Sequence, residues 1–309
     1  MTKQTDGYVA GLGSGCLWGC NNFLFAIGAS AFAAVAPAMP ASAFPLVGAA
    51  VNDAFAALTM LFLYGMRRRL NAFYQEWRSR RGGAILLAAF LGGPVGQVCY
   101  AAGILWAGPS YALIITSSYP ILGSLIAHIF LHQPMKRTMW GGTFLVVCGA
   151  ALVSYLPAQG DVSFRGLVAS VVAAGCWALE IVLATWGMQK MTPEAAITFR
   201  EMISGSVLTV IAAVLLMADS VPLVPVACAA VQTPTLFVAG MAAGFSYLLD
   251  YRANHLLGCA RGMTLNATYI LWGVVLNVLF AGACLHSVEI IGCFLVFAGV
   301  FLTCRETRA

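Results

Sequence analysis

The stretch from Phe164 to Gly187, FRGLVASVVAAGCWALEIVLATWG, determines the fold class of the chain. A helix crosses the hydrocarbon core of a bilayer with about 20 apolar residues, and this run is long enough to do so. An ionised carboxylate in the middle of such a run costs about 2.5 kcal/mol or more, so Glu180 is a candidate functional residue. Trp177 lies three positions earlier and shares its helix face. A ring face beside a carboxylate is a candidate receptor for a cation.

The composition extends this interpretation to the whole chain. Of its 309 residues, 61% are hydrophobic and 9% are charged, whereas soluble domains carry about 25% charged residues. These values predict an integral membrane protein with the lipid bilayer as its surroundings. The net charge of +5 would favour nucleic acid only if the basic residues clustered on a soluble domain, and no polar stretch is long enough to form one. We therefore expect no nucleic-acid partner.

The cysteines and histidines fit packing better than metal chemistry. Most of the ten cysteines lie inside apolar runs, where a thiol acts as a small packing residue. Cys16 and Cys20 are four apart but lack a convergent third ligand for zinc, and so do His128 and His132. We expect no metal and no other cofactor.

Apolar runs separated by short polar breaks occur ten times along the chain. We predict ten membrane-spanning helices at Tyr8 to Ile27, Phe44 to Met66, Gly83 to Trp106, Ser110 to Leu131, Met139 to Leu156, Phe164 to Gly187, Ala195 to Met217, Thr235 to Leu256, Gly262 to Ala281, and Ser287 to Cys304. Basic residues concentrate in alternate connections, which predicts that those connections and both termini are cytoplasmic. This signal is carried by Arg67, Arg68, Arg69, Arg78, Arg80, Arg81, Lys136, Arg137, Lys190, Arg261, Arg305 and Arg308.

The two halves of the chain align with each other. Residues 119–149 can be laid over residues 269–299 without a gap, and upstream Trp18 corresponds to Trp177. Five helices are an odd number, so the second copy enters the membrane in the opposite orientation. We predict an all-α membrane protein of two inverted five-helix repeats, at residues 8–156 and 164–304, an arrangement typical of transporters with a site near the midplane. Chance similarity of apolar sequences is the alternative, which the matched Trp and Tyr positions disfavour.

Large aromatic residues lie near the middles of several predicted helices rather than at the interfaces, where Trp and Tyr usually occur. Asn21 occupies the repeat position equivalent to Glu180, so the second half supplies the acid. A cavity with several ring faces and one carboxylate suits an organic cation, particularly a quaternary ammonium, which cannot donate a hydrogen bond. The predicted cage consists of Trp18, Tyr119, Trp177, Glu180, Tyr269 and Trp272.

Structural roles remain open for each of these residues. The rings could fill a helical core, and Glu180 could be protonated or paired with Arg200 or Arg252. Pro94 and Pro120 interrupt helices three and four, where each could provide a bend for gating or a fixed kink.

The sequence resembles the drug/metabolite transporter superfamily, whose ten-helix members carry two EamA-type repeats, and is most similar to bacterial choline permeases of the LicB type. The residues that carry the resemblance are Gly15-Cys16-Leu17-Trp18-Gly19, Asn52-Asp53, Gly93-Pro94-Val95-Gly96, Tyr119-Pro120, Trp177-Ala178-Leu179-Glu180, Arg200, Ser246-Tyr247-Leu248, and Asn266-Ala267-Thr268-Tyr269-Ile270-Leu271-Trp272. The helix-six Trp-x-x-Glu and helix-nine Asn-x-x-Tyr-x-x-Trp motifs are the most specific of these.

The resemblance implies a secondary transporter in the bacterial inner membrane that imports choline or a related cation. The inverted repeats favour alternating access around the cage, and exchange of the cation for a proton at Glu180 is a further expectation. The sequence departs from the pattern of these permeases at Asn21-Asn22, Asp250 and Arg252. These departures widen the expected substrate class to choline-like cations. Candidates for a secondary or coupling site are Asn21, Asp53, Arg200, Tyr247 and Asp250.

Three rival functions remain. An exporter of aromatic amino acids or other small metabolites would keep the fold and stack its substrate on the same rings. A membrane-embedded enzyme is disfavoured, because the sequence contains no P-loop, HExxH, GxSxG or paired-carboxylate motif. A scaffold or receptor would show no solute flux.

Overall fold

A computed structural model describes residues 2–66, 76, 81–155 and 162–305, and the regular secondary structure of this part of the chain is entirely helical. The predicted class of all-α membrane protein is therefore confirmed. Several basic residues that carry the topology prediction lie outside the described residues, namely Arg67, Arg68, Arg69, Arg78, Arg80 and Arg308. The cytoplasmic location of both termini stays a prediction.

Within these described residues, ten long helical segments follow the predicted spans in order. They are α1 Lys3–Val35, α2 Phe44–Met66, α3 Gly82–Ala107, α4 Pro109–Phe130, α5 Arg137–Val153, α6 Phe164–Gly187, α7 Pro193–Ala218, α8 Pro234–Leu257, α9 Cys259–Ala281 and α10 Ser287–Cys304.

The number of membrane crossings stays a prediction. Within the described residues, eight helices are long and apolar enough to cross a membrane. A ninth span results if α8 is counted together with the short helix Leu223–Val231, which meets it at 73°. At 17 residues, α5 is the shortest of the ten segments.

The predicted repeat is visible in the backbone of α4 and α9. The former breaks into Pro109–Thr116 and Tyr119–Phe130, and the latter into Cys259–Asn266 and Tyr269–Ala281. The gapless alignment that places Tyr119 on Tyr269 also superposes these breaks. Each helix begins after a glycine with a positive φ, 92° at Gly108 and 86° at Gly258, a conformation that glycine adopts without steric cost.

The crossing of α5 and α10 shows the same relation. A Cβ on Gly142 would lie 2.5 Å from the carbonyl oxygen of Gly299, and a Cβ on Gly149 would lie 2.5 Å from that of Gly292. The alignment pairs Gly142 with Gly292 and Gly149 with Gly299, so the contacts are reciprocal, as a two-fold relation between repeats requires. Small residues allow these helices to approach closely in a membrane, where packing drives helix association.

The remaining helices surround a polar centre. α1 packs along α8, the equivalent α6 packs along α3, and α2 packs along α7. Large apolar side chains such as Phe62 and Phe280 are exposed on the outer surface, as expected for a protein surrounded by lipid. The buried interior contains charged residues, including Asp53, Glu180 and Arg200, and these lead to the site.

Candidate functional site

A cavity of about 400 Å³ lies between the two repeats. It brings together five of the six residues predicted for the cage, which are Trp18, Tyr119, Trp177, Glu180 and Tyr269. It also contains three of the candidates for a secondary site, which are Arg200, Tyr247 and Asp250. The further lining residues are Asn22, Gln97, Tyr100, Leu113, Thr116, Ser117, Ile181, Ser246 and Asn266.

The two tryptophans that align in the repeats make equivalent ring contacts. The ring centroid of Trp18 lies 4.9 Å from that of Tyr247, and Trp177 lies 5.3 Å from Tyr100. In each pair the tyrosine comes from the helix that packs along the helix of the tryptophan. Sequence reasoning missed Tyr100, although it is also a large aromatic residue within a predicted span, and that was the signal for Trp18.

A glycine-rich turn of α3 accommodates Trp177 and Glu180. Residues Leu91–Val95 form a π-helical turn that contains Pro94, which cannot donate a backbone hydrogen bond. The indole Nε1 of Trp177 donates to the carbonyl oxygen of Gly92 at 3.0 Å. A Cβ on Gly92 would overlap the carboxylate of Glu180. The motif around Pro94 thus leaves room for the side chains of α6.

Glu180 is bound by protein groups. Its Oε1 accepts hydrogen bonds from Arg200 Nε at 2.9 Å and from the Tyr251 hydroxyl at 3.0 Å. Arg200 also donates through Nη1 to Asp53 Oδ2 at 3.2 Å and to Glu201 Oε1 at 2.9 Å. Among the structural alternatives, pairing with Arg200 is therefore the one observed. This ionic cluster joins α2, α6 and α7 around one buried guanidinium.

The ionic cluster is also connected to α1 through Asn52 and Asn21. Asn21 Nδ2 donates to Asn52 Oδ1 at 2.7 Å, and Asn52 Nδ2 donates to Asp53 Oδ1 at 3.4 Å. A chain of polar contacts therefore runs from α1 through α2 and α7 to Glu180 on α6. Asn21 takes part in this chain but does not line the cavity, whereas its neighbour Asn22 does.

In the part of the chain that the structure describes, Asp250 is the cavity carboxylate that forms no ion pair. Only 6% of the residue is exposed, and within the described residues its Oδ1 has no hydrogen-bond partner. The nearby Arg252 pairs instead with Asp6 on α1. Its Nη2 lies 2.6 Å from Asp6 Oδ2, and both side chains are partly exposed. A buried carboxylate oxygen without a partner is costly, so this oxygen is suited to meet a ligand.

Trp272 lies outside the cavity. It is 41% exposed and borders a separate apolar groove with Tyr8, Leu12 and Phe301. Three positions on a helix are separated by about 60° around its axis, and α1 packs against the base of the Trp272 side chain at Gly19. The ring therefore does not join the other five predicted residues.

The two prolines border the breaks of their helices. Pro94 lies inside the π-helical turn of α3. Pro120 occupies the first turn of the second half of α4, where the missing donor is tolerated. Pro120 directly follows the cavity residue Tyr119, and Pro94 lies in the turn whose Gly92 contacts Trp177. The role of both prolines as hinges stays a prediction.

Polar side chains that were not predicted individually complete the lining. Asn266 Nδ2 donates to Ser14 Oγ at 2.5 Å, and its Oδ1 accepts from the Tyr119 hydroxyl at 3.3 Å. This contact connects α9 with α1 and α4. The Asn-x-x-Tyr spacing of Asn266 and Tyr269 was the signal for it, since both side chains face the cavity.

A helical membrane protein with a ring-lined polar cavity between two repeats has the architecture of a solute transporter. The EamA-like transporter family model matches residues 10–155 and 164–305. The chain belongs to the EamA-like transporter family, and the predicted resemblance is confirmed.

The chain is also similar to two further proteins. It is 23% identical over 219 residues to Protein LicB of Haemophilus influenzae, over 70% of this chain and 73% of that protein. A solved structure described as "Crystal structure of protein" superposes with a TM-score of 0.71 and 14% identity, over 96% of each chain. The second similarity concerns the fold alone.

Proposed function

We propose that the protein transports choline or a related quaternary ammonium compound across the bacterial inner membrane by alternating access. The observation that carries this proposal is a cavity with tyrosine and tryptophan rings from both repeats and two carboxylates, Glu180 and Asp250. Of these, Asp250 has an Oδ1 without a hydrogen-bond partner within the described residues. A quaternary ammonium cannot donate hydrogen bonds, so it is held by ring faces and by opposite charge. The cavity offers both.

The contacts of the two cavity carboxylates, Glu180 and Asp250, support roles that differ from those the sequence suggested. Glu180 is balanced by Arg200 and accepts a second bond from Tyr251. We therefore assign the counter-charge for the substrate to Asp250. Arg200 lies over the ring of Tyr247, with 4.5 Å between the guanidinium carbon and the ring centroid. Glu180 then acts by holding Arg200, which in turn positions Tyr247.

The repeats supply a path for the conformational change. Transporters with inverted repeats move one repeat against the other around a fixed central site. The matched breaks of α4 and α9 both lie at cavity level, next to Tyr119 and Tyr269. The resemblance to choline permeases favours import, and proton coupling remains an additional expectation.

A panel of solutes tests the proposal. Thermal unfolding of the purified protein is measured with choline, betaine, carnitine and aromatic amino acids, because a ligand that binds the folded state raises its stability. Stabilisation by choline, together with choline uptake into proteoliposomes, is expected. If choline neither raises the unfolding temperature nor enters the proteoliposomes, the assignment is refuted.

The polar part of the lining favours a second candidate, export of aromatic amino acids. Asn22, Gln97 and Asn266 offer amide groups to a zwitterionic ligand, and the same rings would stack on its side chain. Stabilisation by amino acids alone, with loss of this effect in Asn22→Ala, would favour this candidate over choline.

A further inference from the structure

A second cavity, which we call the basic pocket, lies apart from the central one. Its volume is about 340 Å³, and it is formed by the α4–α5 connection, the ends of α6 and α8, and the start of α9. Asn254 lines it, one helical turn beyond Asp250 on α8. The basic pocket is at the end of the molecule that the basic residues of the sequence predict to be cytoplasmic.

The charged side chains in the described lining of the basic pocket are basic. Lys136, His255 and Arg261 line it, and its described lining includes no Asp or Glu. The Nε of Arg261 is buried and has no hydrogen-bond partner in the described part of the chain. A buried guanidinium nitrogen without a partner is costly, and an anion would supply the missing acceptor.

The backbone adds to this positive field. α9 begins at Cys259, and its first turn contributes Ala260 and Arg261 to the lining. The N-terminus of a helix carries a partial positive charge and unpaired N–H groups, which favour phosphate and other anions. Gln133 Oε1 accepts from the Cys259 N–H at 2.9 Å and so fixes the connection against this helix end.

Membrane topology alone does not explain this arrangement. A topology signal requires only that basic residues lie on one side of the membrane. Arg137 meets that requirement and is exposed outside the basic pocket, whereas Lys136 and Arg261 converge on it from different elements. Asn254 is fully buried, and its Oδ1 has no partner within the described residues. That oxygen can accept from a hydroxyl on the ligand.

We propose that the basic pocket binds a phosphate group that carries or adjoins a hydroxyl, supplied either by an anionic lipid headgroup or by free phosphate. Arg261 and Lys136 bind the phosphate oxygens, and Asn254 Oδ1 accepts from the hydroxyl. Basic pockets between membrane helices on the cytoplasmic side are suited to lipid phosphates. The site is independent of the solute proposed for the central cavity.

Two probes separate the sources of the phosphate. The first is inorganic phosphate, added to the purified protein against chloride at equal ionic strength, with thermal unfolding as the readout. The second is phosphatidylglycerol, whose retention from mixed micelles with phosphatidylethanolamine is measured by native mass spectrometry. Each is applied to the natural protein, to Lys136→Gln with Arg261→Gln, and to the matched control Arg137→Gln.

The double substitution is expected to weaken binding of at least one probe tenfold or more, while Arg137→Gln binds as the natural protein does. An effect on phosphatidylglycerol alone assigns the site to lipid, and one on inorganic phosphate alone assigns it to the free anion. Equal binding by the natural protein and the double variant, or an equal loss in Arg137→Gln, would overturn the proposal. Lys136 is exposed, so Lys136→Gln alone keeps the test valid if the double variant does not fold.

Discussion

The two repeats differ in the polar contacts that they make where equivalent helices meet. Where α1 meets α2, Asn21 bonds to Asn52, and where the equivalent α6 meets α7, Glu180 bonds to Arg200. The neutral pair requires only that its amide groups find hydrogen-bond partners. The ionic pair must also offset the desolvation of two charges, several kcal/mol for each ion. The second repeat supplies Arg200 and two of its three acidic partners, Glu180 and Glu201, and the first repeat supplies Asp53.

The excess of acids around Arg200 sharpens this contrast. One guanidinium contacts Asp53, Glu180 and Glu201, and all four side chains are buried. The neutral pair connects to this cluster through the contact between Asn52 and Asp53. The two repeats therefore share one polar network, and substitutions at its two ends should differ in size.

The largest effect is expected from Arg200→Met. Removal of the guanidinium leaves three buried carboxylates without a counter-charge, and breaking a buried pair in this way costs about 3–5 kcal/mol of unfolding free energy. Denaturation of the purified protein in detergent measures it. Arg252→Gln is the control, because its pair with Asp6 is partly exposed and such pairs contribute about 1 kcal/mol or less. Equal losses would contradict the buried network.

A smaller loss is expected from Gly92→Ala. The new Cβ would overlap the Glu180 carboxylate, and overpacking of this kind costs about 1–3 kcal/mol. The loss should shrink when Glu180→Ala is combined with it, which a double-mutant cycle of unfolding free energies detects. Gly83→Ala is the matched control, since a Cβ there meets nothing within 4 Å. If the two positions respond alike, Glu180 does not occupy the space above Gly92.

The choice between the two cavity carboxylates is tested by Asp250→Asn and Glu180→Gln. We expect Asp250→Asn to weaken choline binding about tenfold or more, which is about 1.4 kcal/mol, with little change in unliganded stability. Glu180→Gln should lower stability more than Asp250→Asn does, because it removes the partner of Arg200. Isothermal titration calorimetry and unliganded melting curves measure the two quantities. If choline affinity is unchanged in Asp250→Asn, Asp250 is not the counter-charge, and Glu180 becomes the candidate again.

The smallest effect is expected at the neutral end of the network. Asn21→Ala removes the donor to Asn52 and to the carbonyl oxygen of Ala239, and a neutral hydrogen bond contributes about 1 kcal/mol. Asn277→Ala provides the control. Among the described residues its side-chain amide makes a single, exposed hydrogen bond, to the Gly273 carbonyl oxygen, so this substitution should leave stability unchanged. A loss as large as that of Arg200→Met would remove the distinction between the repeats.

Several elements of the site were predictable because they depend on local sequence. Trp18 and Trp177 were identified by their depth in apolar runs and by the repeat, and both line the cavity. Tyr119 and Tyr269 followed from the gapless alignment in the same way. Trp272 shows the limit of this reasoning. Three-residue spacing puts Tyr269 and Trp272 near one face of α9, but it does not show that α1 packs between them.

The sequence by itself determined the membrane class, the repeat and four of the cavity rings, Trp18, Tyr119, Trp177 and Tyr269, since each depends on hydrophobicity and spacing along one chain. The tertiary structure alone decided the partners of the charges. Arg200 is 20 positions from Glu180 and 147 from Asp53, and no periodicity connects positions so far apart. Buried charges interact strongly only with the groups that helix packing brings beside them. Packing of α6 against α7 pairs Glu180 with Arg200, whereas Asp250 faces the cavity.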